Sequence, residues 1–380
     1  MRIGALNVNI ITSCTEDLKG YLGQEIAKDT IARPYTSEDF QKWKNYFKEK
    51  GLYKEIAEKE IAEETIPALC EFIYTLSQYF PTLACYFMSK ILFGILTLKF
   101  STTDRQKEMY LAKLVEGDLF ATFASKELES GFELKRMQTV ARKKEAGWVI
   151  NGVKEDVVCT EDADLFLMLG KIDVFSQEKN QYGLFLLEKN MPGIMVNYDE
   201  SKKSESPLRT ATLTIKNLTV GEDQFLGNLQ NQYNVFNQVL DFWNLLLASM
   251  LLGSTRAVFD QGLEHTLEIN RFGQRFMDAP YIRQQFAQYK TELEVTEHYF
   301  FFILQQAELQ TIEVSQLKFK AMAVSEEIIN GILGIFGFAT LPPDNVLRRY
   351  KSISEAANSV GESPDFYLKK ISKQWTKLPS

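Results

Sequence analysis

The 380-residue sequence predicts an α+β chain, mostly α, in which helices come first, strands follow and helices return. Two observations carry that prediction. Apolar residues recur at helical spacing over about residues 37–115 and again beyond Gly227, and short strand-like runs between polar turns fill the stretch between them. A third observation bounds it: 45% hydrophobic and 24% charged residues, with only ten prolines, make an ordinary globular composition whose length suits two or three packed subdomains. The expected division is an N-terminal helical domain at 1–117, a middle β-domain at 118–228 and a C-terminal helical bundle at 229–380.

Each element has a local reason. Ser37-Glu38-Asp39 opens a helix with Phe40, Trp43, Tyr46 and Phe47 at helical spacing, and Gly51 stops it. Ile66 to Leu98 is apolar nearly all round, as a helix inside a core is. Thr103-Asp104 reads as an N-cap ahead of Met109, Tyr110, Leu111 and Leu114. Residues 147–150, 165–169, 184–187 and 210–215 read as strands, Pro192-Gly193 as a turn, and the whole stretch as a small sandwich or barrel. Residues 235–259, 279–307 and 314–333 are each long enough for a bundle helix.

The totals also exclude. A net charge of -7 without a lysine-rich block argues against nucleic acid, whose phosphates need clustered Lys and Arg. Cys14, Cys70, Cys85 and Cys159 lack metal-ligand spacing and read as reduced thiols of a cytoplasmic protein, and His265 and His298 are too few for a histidine-rich metal site. The apolar run 83–98 is broken by Ser89 and Lys90, and 245–253 is about half the length of a bilayer span, so no membrane insertion is expected.

Several short motifs recur in a fixed order. Asp104 to Leu111 carries Gln-Lys and Tyr-Leu; Asn151-Gly152-Val153-Lys154 is an Asn-Gly-x-Lys element; Leu184 to Val196 holds a strand and the Pro-Gly turn. Leu213 to Gly227 ends in Leu-Gly, and Arg271-Phe272-Gly273 and Gly334 to Phe338 follow. In this order, from about residue 40 to 355, the chain resembles the acyl-CoA dehydrogenase family. The resemblance implies the three-part architecture with a C-terminal four-helix bundle, FAD at a subunit interface and homo-oligomer formation. It also implies chemistry in which a carboxylate removes a proton beside a thioester carbonyl while hydride leaves the next carbon for the flavin.

The polar positions depart from that pattern. The most common base position falls on Asn358, and an amide cannot take that proton. Glu355 lies one turn earlier and is the candidate base by its i to i+3 spacing. The alternative position on the first bundle helix falls on Trp243, or on Asn244 with a one-residue slip. Ser125 keeps a flavin-contacting hydroxyl, but Lys126 replaces an acid, and an aromatic and a Thr against the ring become Asp156 and Val158. The pyrophosphate Arg falls on Ile269, with Arg271 two residues away, and a Gln falls on Gly331. Arg271, Phe272, Gly334 and Gly337 remain as candidate cofactor contacts.

Three functions follow as expectations. The first is FAD-dependent α,β-dehydrogenation of an acyl thioester on CoA or a carrier protein through a rearranged site. The second is a flavin-free subunit completing a heteromer with an intact homologue. The third is thioester chemistry without oxidation.

Overall fold

A computed structural model describes residues 9–26, 37–58, 65–101, 103–129, 134–173, 181–198, 210–226, 232–271, 273–306, 309–337, 347–348, 350–352, 354–355 and 362–375. Eight helical pieces precede the strands: α1 (Asn9–Ile26), α2 (Ser37–Glu49), α3 (Leu52–Glu58), α4 (Ile66–Ser77), α5 (Pro81–Ser89), α6 (Thr97–Ser101), α7 (Asp104–Gln106) and α8 (Ala112–Glu116). Helix α1 stands where the sequence supplies only a short apolar stretch. Gly51 takes φ +79°, the left-handed conformation that a stop after α2 requires. The run from α5 to α6 is continuous through a π-helical turn at Lys90–Leu96, and Ser89 and Lys90 are buried inside it. There the Lys90 ammonium faces the Tyr53 ring, 4.4 Å from its centroid. At α7 the Thr103 hydroxyl accepts from the Gln106 N–H while the Gln106 side chain accepts from the Thr103 N–H, a reciprocal cap.

Seven strands form one mixed sheet: β1 (Ala121–Ala124), β2 (Val140–Lys144), β3 (Gly147–Val158), β4 (Leu165–Asp173), β5 (Gln181–Glu188), β6 (Ile194–Tyr198) and β7 (Thr210–Val220). Strand β4 is its spine. It pairs in parallel with β1 and with β2, and antiparallel with β5 from Leu165 to Ile172. Both its faces are covered, so residues 165–170 are buried without alternation. The Asn-Gly-x-Lys element lies in the β2–β3 hairpin: the turn falls at residues 145–146, and Gly152 lies inside β3. A Cβ there would meet the Thr139 hydroxyl at 2.3 Å, so glycine answers to cross-strand packing. Gly193, at φ +107°, closes the expected Pro-Gly turn, with the Lys216 carbonyl 2.6 Å from where a Cβ would stand.

Long helices then return: α9 (Gln232–Glu268), a short hairpin of β8 (Asn270–Arg271) and β9 (Gln274–Arg275), α10 (Pro280–Leu304), α11 (Thr311–Phe336) and α12 (Pro364–Ser372). Two helical spans, Pro81–Lys99 and Phe236–Glu268, are long and apolar enough to cross a membrane by length and composition, but 94% and 89% of their windows are buried within the protein. That is how core helices of a globular protein read.

By internal packing the chain divides into two units. A bundle unit comprises Met1–Asn45, Ala62–Cys85 and Asn244–Ser380; a strand-bearing unit comprises Tyr46–Ile61 and Tyr86–Trp243. In the bundle unit Gly253 of α9 lets the Tyr74 carbonyl approach: a Cβ would sit 2.1 Å from that oxygen. Beside it, Glu297 of α10 accepts from the Tyr74 hydroxyl at 2.7 Å and from the Arg256 guanidinium, tying α4, α9 and α10. In the strand-bearing unit, Phe93 stacks on Phe123 and Tyr86 on Phe120, joining the early helices to β1. Gln106 reaches across to donate to the carbonyls of Asp223 and Phe225, each at 2.8 Å.

Candidate active site

In the strand-bearing unit the candidate residues gather where β1 ends and β3 bulges. Ser125 is buried, and its carbonyl accepts from the Lys154 ammonium at 3.1 Å. Lys154 has no solvent exposure and also donates to Glu127 at 2.7 Å; Glu127 in turn accepts from the backbone N–H groups of Gln138 and Thr139. Burial pushes the Glu127 carboxyl up, but Lys154 and those bonds outweigh it and hold the group down at about 2. This buried pair fixes the backbone on which Ser125 stands.

The two charged departures from the family pattern are mates. Lys126 and Asp156 pair at 2.5 Å. The register of β3 against β7 shifts between Lys154 and Val157, and this bulge brings Asp156 round. Asp156 has φ +51°, which Asp tolerates better than most side chains, and the Glu155 N–H donates to the Lys126 carbonyl at 2.8 Å. Val158 is buried, with its carbonyl bonded to the Thr122 hydroxyl at 2.7 Å. A lysine and an aspartate that look like two separate losses in sequence are one ion pair. Trp243 is buried against Phe93, ring centroids 4.8 Å apart, as a packing residue.

In the bundle unit, Gly334 lies on the last turn of α11 and Gly337 is its left-handed C-cap at φ +76°. A Cβ at Gly334 would meet nothing within 4 Å, so the chain's own packing does not demand a glycine there. At Gly331 it does: a Cβ would stand 1.9 Å from the Tyr289 hydroxyl, so Tyr289 fills the space a glutamine would enter. Arg271 pairs with Gln274 in the β8–β9 hairpin, and Phe272 and Asn358 lie outside the described residues. Asn244 is buried and its amide oxygen accepts from the Tyr367 hydroxyl of α12 at 2.7 Å.

Glu355 is exposed and faces Lys351 at 3.6 Å, one helical turn away. That is the setting of a solvated surface pair, worth little energetically and far from the dry surroundings a carboxylate base needs. The i to i+3 count from Glu355 to Asn358 gives angular position on a helix but says nothing about depth. Two buried charges in this unit had no sequence signal at all: Lys318 of α11 and Glu362, just ahead of α12. Both sit in ordinary-looking polar positions of the sequence.

The middle-domain profile of the acyl-CoA dehydrogenases matches residues 122–218, and the C-terminal-domain profile of the same family matches residues 233–356. Together they take in more than half of the chain, which belongs to the acyl-CoA dehydrogenase family. It is 30% identical over 192 residues to the short/branched chain specific acyl-CoA dehydrogenase of Rattus norvegicus, covering 50% of this chain and 44% of that one. The chain thus spans about half the length of the curated relatives it matches. Among solved structures it is similar to an FAD complex of PigA, with TM-score 0.82 and 18% identity over 99% of both chains. It is also similar to the prolyl acyl carrier protein oxidase AnaB, with TM-score 0.79 and 19% identity over 97% of this chain and 99% of that one.

Proposed function

We propose that the protein binds FAD and oxidises an acyl or aminoacyl thioester, carried on CoA or on a carrier protein, to its α,β-unsaturated product. The observation that carries this reading is the bare backbone at the end of α11. Gly334 has no steric neighbour within 4 Å and Gly337 is left-handed, at positions that the sequence resemblance marks as candidate cofactor contacts. A glycine that packing does not require leaves room for a group from outside the chain to approach the backbone. In the bundle unit Gly334 and Gly337 would hold the cofactor; Ser125, Arg271 and Phe272 are proposed as contacts on the sequence resemblance alone. When bound, FAD supplies the two-electron acceptor for hydride leaving the substrate's β-carbon. The chain's own task is to exclude water, polarise the thioester carbonyl and take the α-proton.

The likeness to a structure described as an FAD complex and to a carrier-protein oxidase supports the cofactor and the tethered form of the substrate. The test is the visible spectrum of the purified protein through gel filtration, before and after incubation with FAD. Retained flavin bands that bleach on adding a thioester are expected; a colourless protein that does not take up FAD sinks the reading.

One observation favours a second reading. Neither base position carries an acid: one is Asn358, and the other is the packed Trp243 or the hydrogen-bonded Asn244. A chain so altered suits the non-redox partner of an intact homologue, and co-purification with such a homologue would support it.

A further inference from the structure

Helices α10 and α11 form an antiparallel hairpin whose register is pinned at two places. The Tyr299 hydroxyl donates to Gln316 at 3.0 Å, and Gln288 donates to Glu327 at 3.4 Å, so eleven residues back along α10 match eleven residues on along α11. One turn further back, Gln285 comes level with the last turns of α11, where Gly331 and Gly334 stand on one face.

Tyr289 closes the seam at this level. It is 5% exposed, and its hydroxyl oxygen lies 1.9 Å from where a Gly331 Cβ would stand. Gln285, half-buried, donates from its amide nitrogen to that same oxygen at 3.2 Å. A phenol oxygen that accepts this bond still has its own proton to give. Burial and the Glu327 carboxylate push the Tyr289 hydroxyl above its ordinary range, so the proton stays on. Among the described residues nothing accepts that proton, and nothing donates to the Gln285 carbonyl oxygen. One turn on, Gly334 is exposed, and a Cβ there would meet nothing within 4 Å. Glycine weakens a helix interior, yet α11 has two of them on the face that this amide and phenol border.

On the flavin reading above, we propose that Gln285 and Tyr289 are cofactor-binding residues whose amide and phenol groups hydrogen-bond a neutral polar group of FAD beside Gly334. The glutamine that the sequence resemblance places at 331 is thereby supplied from the neighbouring helix, and the bare Gly331 is what lets the tyrosine through. The pair itself is neutral, and the charge it feels is the Glu327 carboxylate, which disfavours a phosphate. A hydroxyl or a ring edge, able to accept from the phenol and donate to the amide oxygen, suits it.

The test is FAD affinity, read without turnover. The full-length protein, freed of bound flavin, is titrated with FAD, and the change in flavin fluorescence gives Kd. Tyr289→Phe removes only the phenol group and Gln285→Ala only the amide. Each is expected to raise Kd about three- to tenfold, the effect of one neutral hydrogen bond, with a melting temperature within a few degrees of the parent. Gly331→Gln alone drives a side chain against Tyr289 and is expected to lower the melting temperature. Combined as Gln285→Ala/Tyr289→Leu/Gly331→Gln, it has room, and Kd is expected to return to within about threefold of the parent. A folded triple variant that regains no affinity overturns the exchange of roles between Gln285 and position 331; if the triple variant does not fold, the two single variants decide. Unchanged Kd in both single variants overturns the assignment and leaves the flavin reading standing. No uptake of FAD by the unmodified protein overturns the flavin reading, and the assignment with it.

Discussion

At the scale of single residues the chain buries a charge together with its partner. Lys154 and Glu127 satisfy each other and the backbone around them. Removing one partner strands the other, so Lys154→Met is expected to cost about 3–5 kcal/mol, and the double variant Lys154→Met/Glu127→Gln much less. Urea unfolding of the three proteins decides it. The same pair sets an acid limit. Glu127 titrates near 2 in the folded protein, below its ordinary 4.5. Its contribution is therefore complete above about 4.5 and fades as pH falls toward 2, because the unfolded chain takes the proton first. Melting temperatures measured from pH 6 to 2 are expected to drop over that window, and to drop less steeply in Glu127→Gln.

At the scale of elements, two glycines in long helices make opposite forecasts. Gly253→Ala drives a Cβ against the Tyr74 carbonyl, a backbone atom that cannot step aside, and is expected to destabilise by about 1–3 kcal/mol. Gly334→Ala enters open space on α11 and is expected to gain about 0.5–1 kcal/mol from helix propensity while weakening retention of FAD. Thermal melts and flavin retention read the two effects separately; equal FAD binding in Gly334→Ala counts against a cofactor role for that turn. Much at this scale is legible from sequence. The stop at Gly51, the cap at Thr103, the Pro-Gly turn and the buried run around 83–98 all follow from local chemistry. What sequence cannot supply is partnership across the chain. Lys126 and Asp156 are 30 positions apart, so their pairing is invisible until the bulge in β3 joins them. Depth is equally hidden. Glu355 and Glu362 are seven positions apart and chemically identical, yet one is solvated and the other is buried, directly ahead of a helix that packs on α11.

At the scale of the whole molecule, the expected β-domain at 118–228 lies inside a larger strand-bearing unit that also takes in Tyr46–Ile61 and Tyr86 onward. A fragment limited to 118–228 would leave behind Phe93, Tyr86 and Gln106, and with them the aromatic stacks on Phe123 and Phe120 and the bonds to Asp223 and Phe225. That fragment is expected to melt without a cooperative transition by circular dichroism, whereas the full chain melts cooperatively. The interleaving of the two units also gives the chain a timetable during synthesis. Every segment of the strand-bearing unit has left the ribosome soon after Trp243, but the bundle unit cannot close until the segment beginning at Asn244 is made. At roughly 5–20 residues per second, α1 and α4 wait on the order of ten to thirty seconds with apolar faces uncovered. For that interval the nascent chain is a client for chaperones, and a slow stretch of translation placed after residue 244 would lengthen its exposure to aggregation.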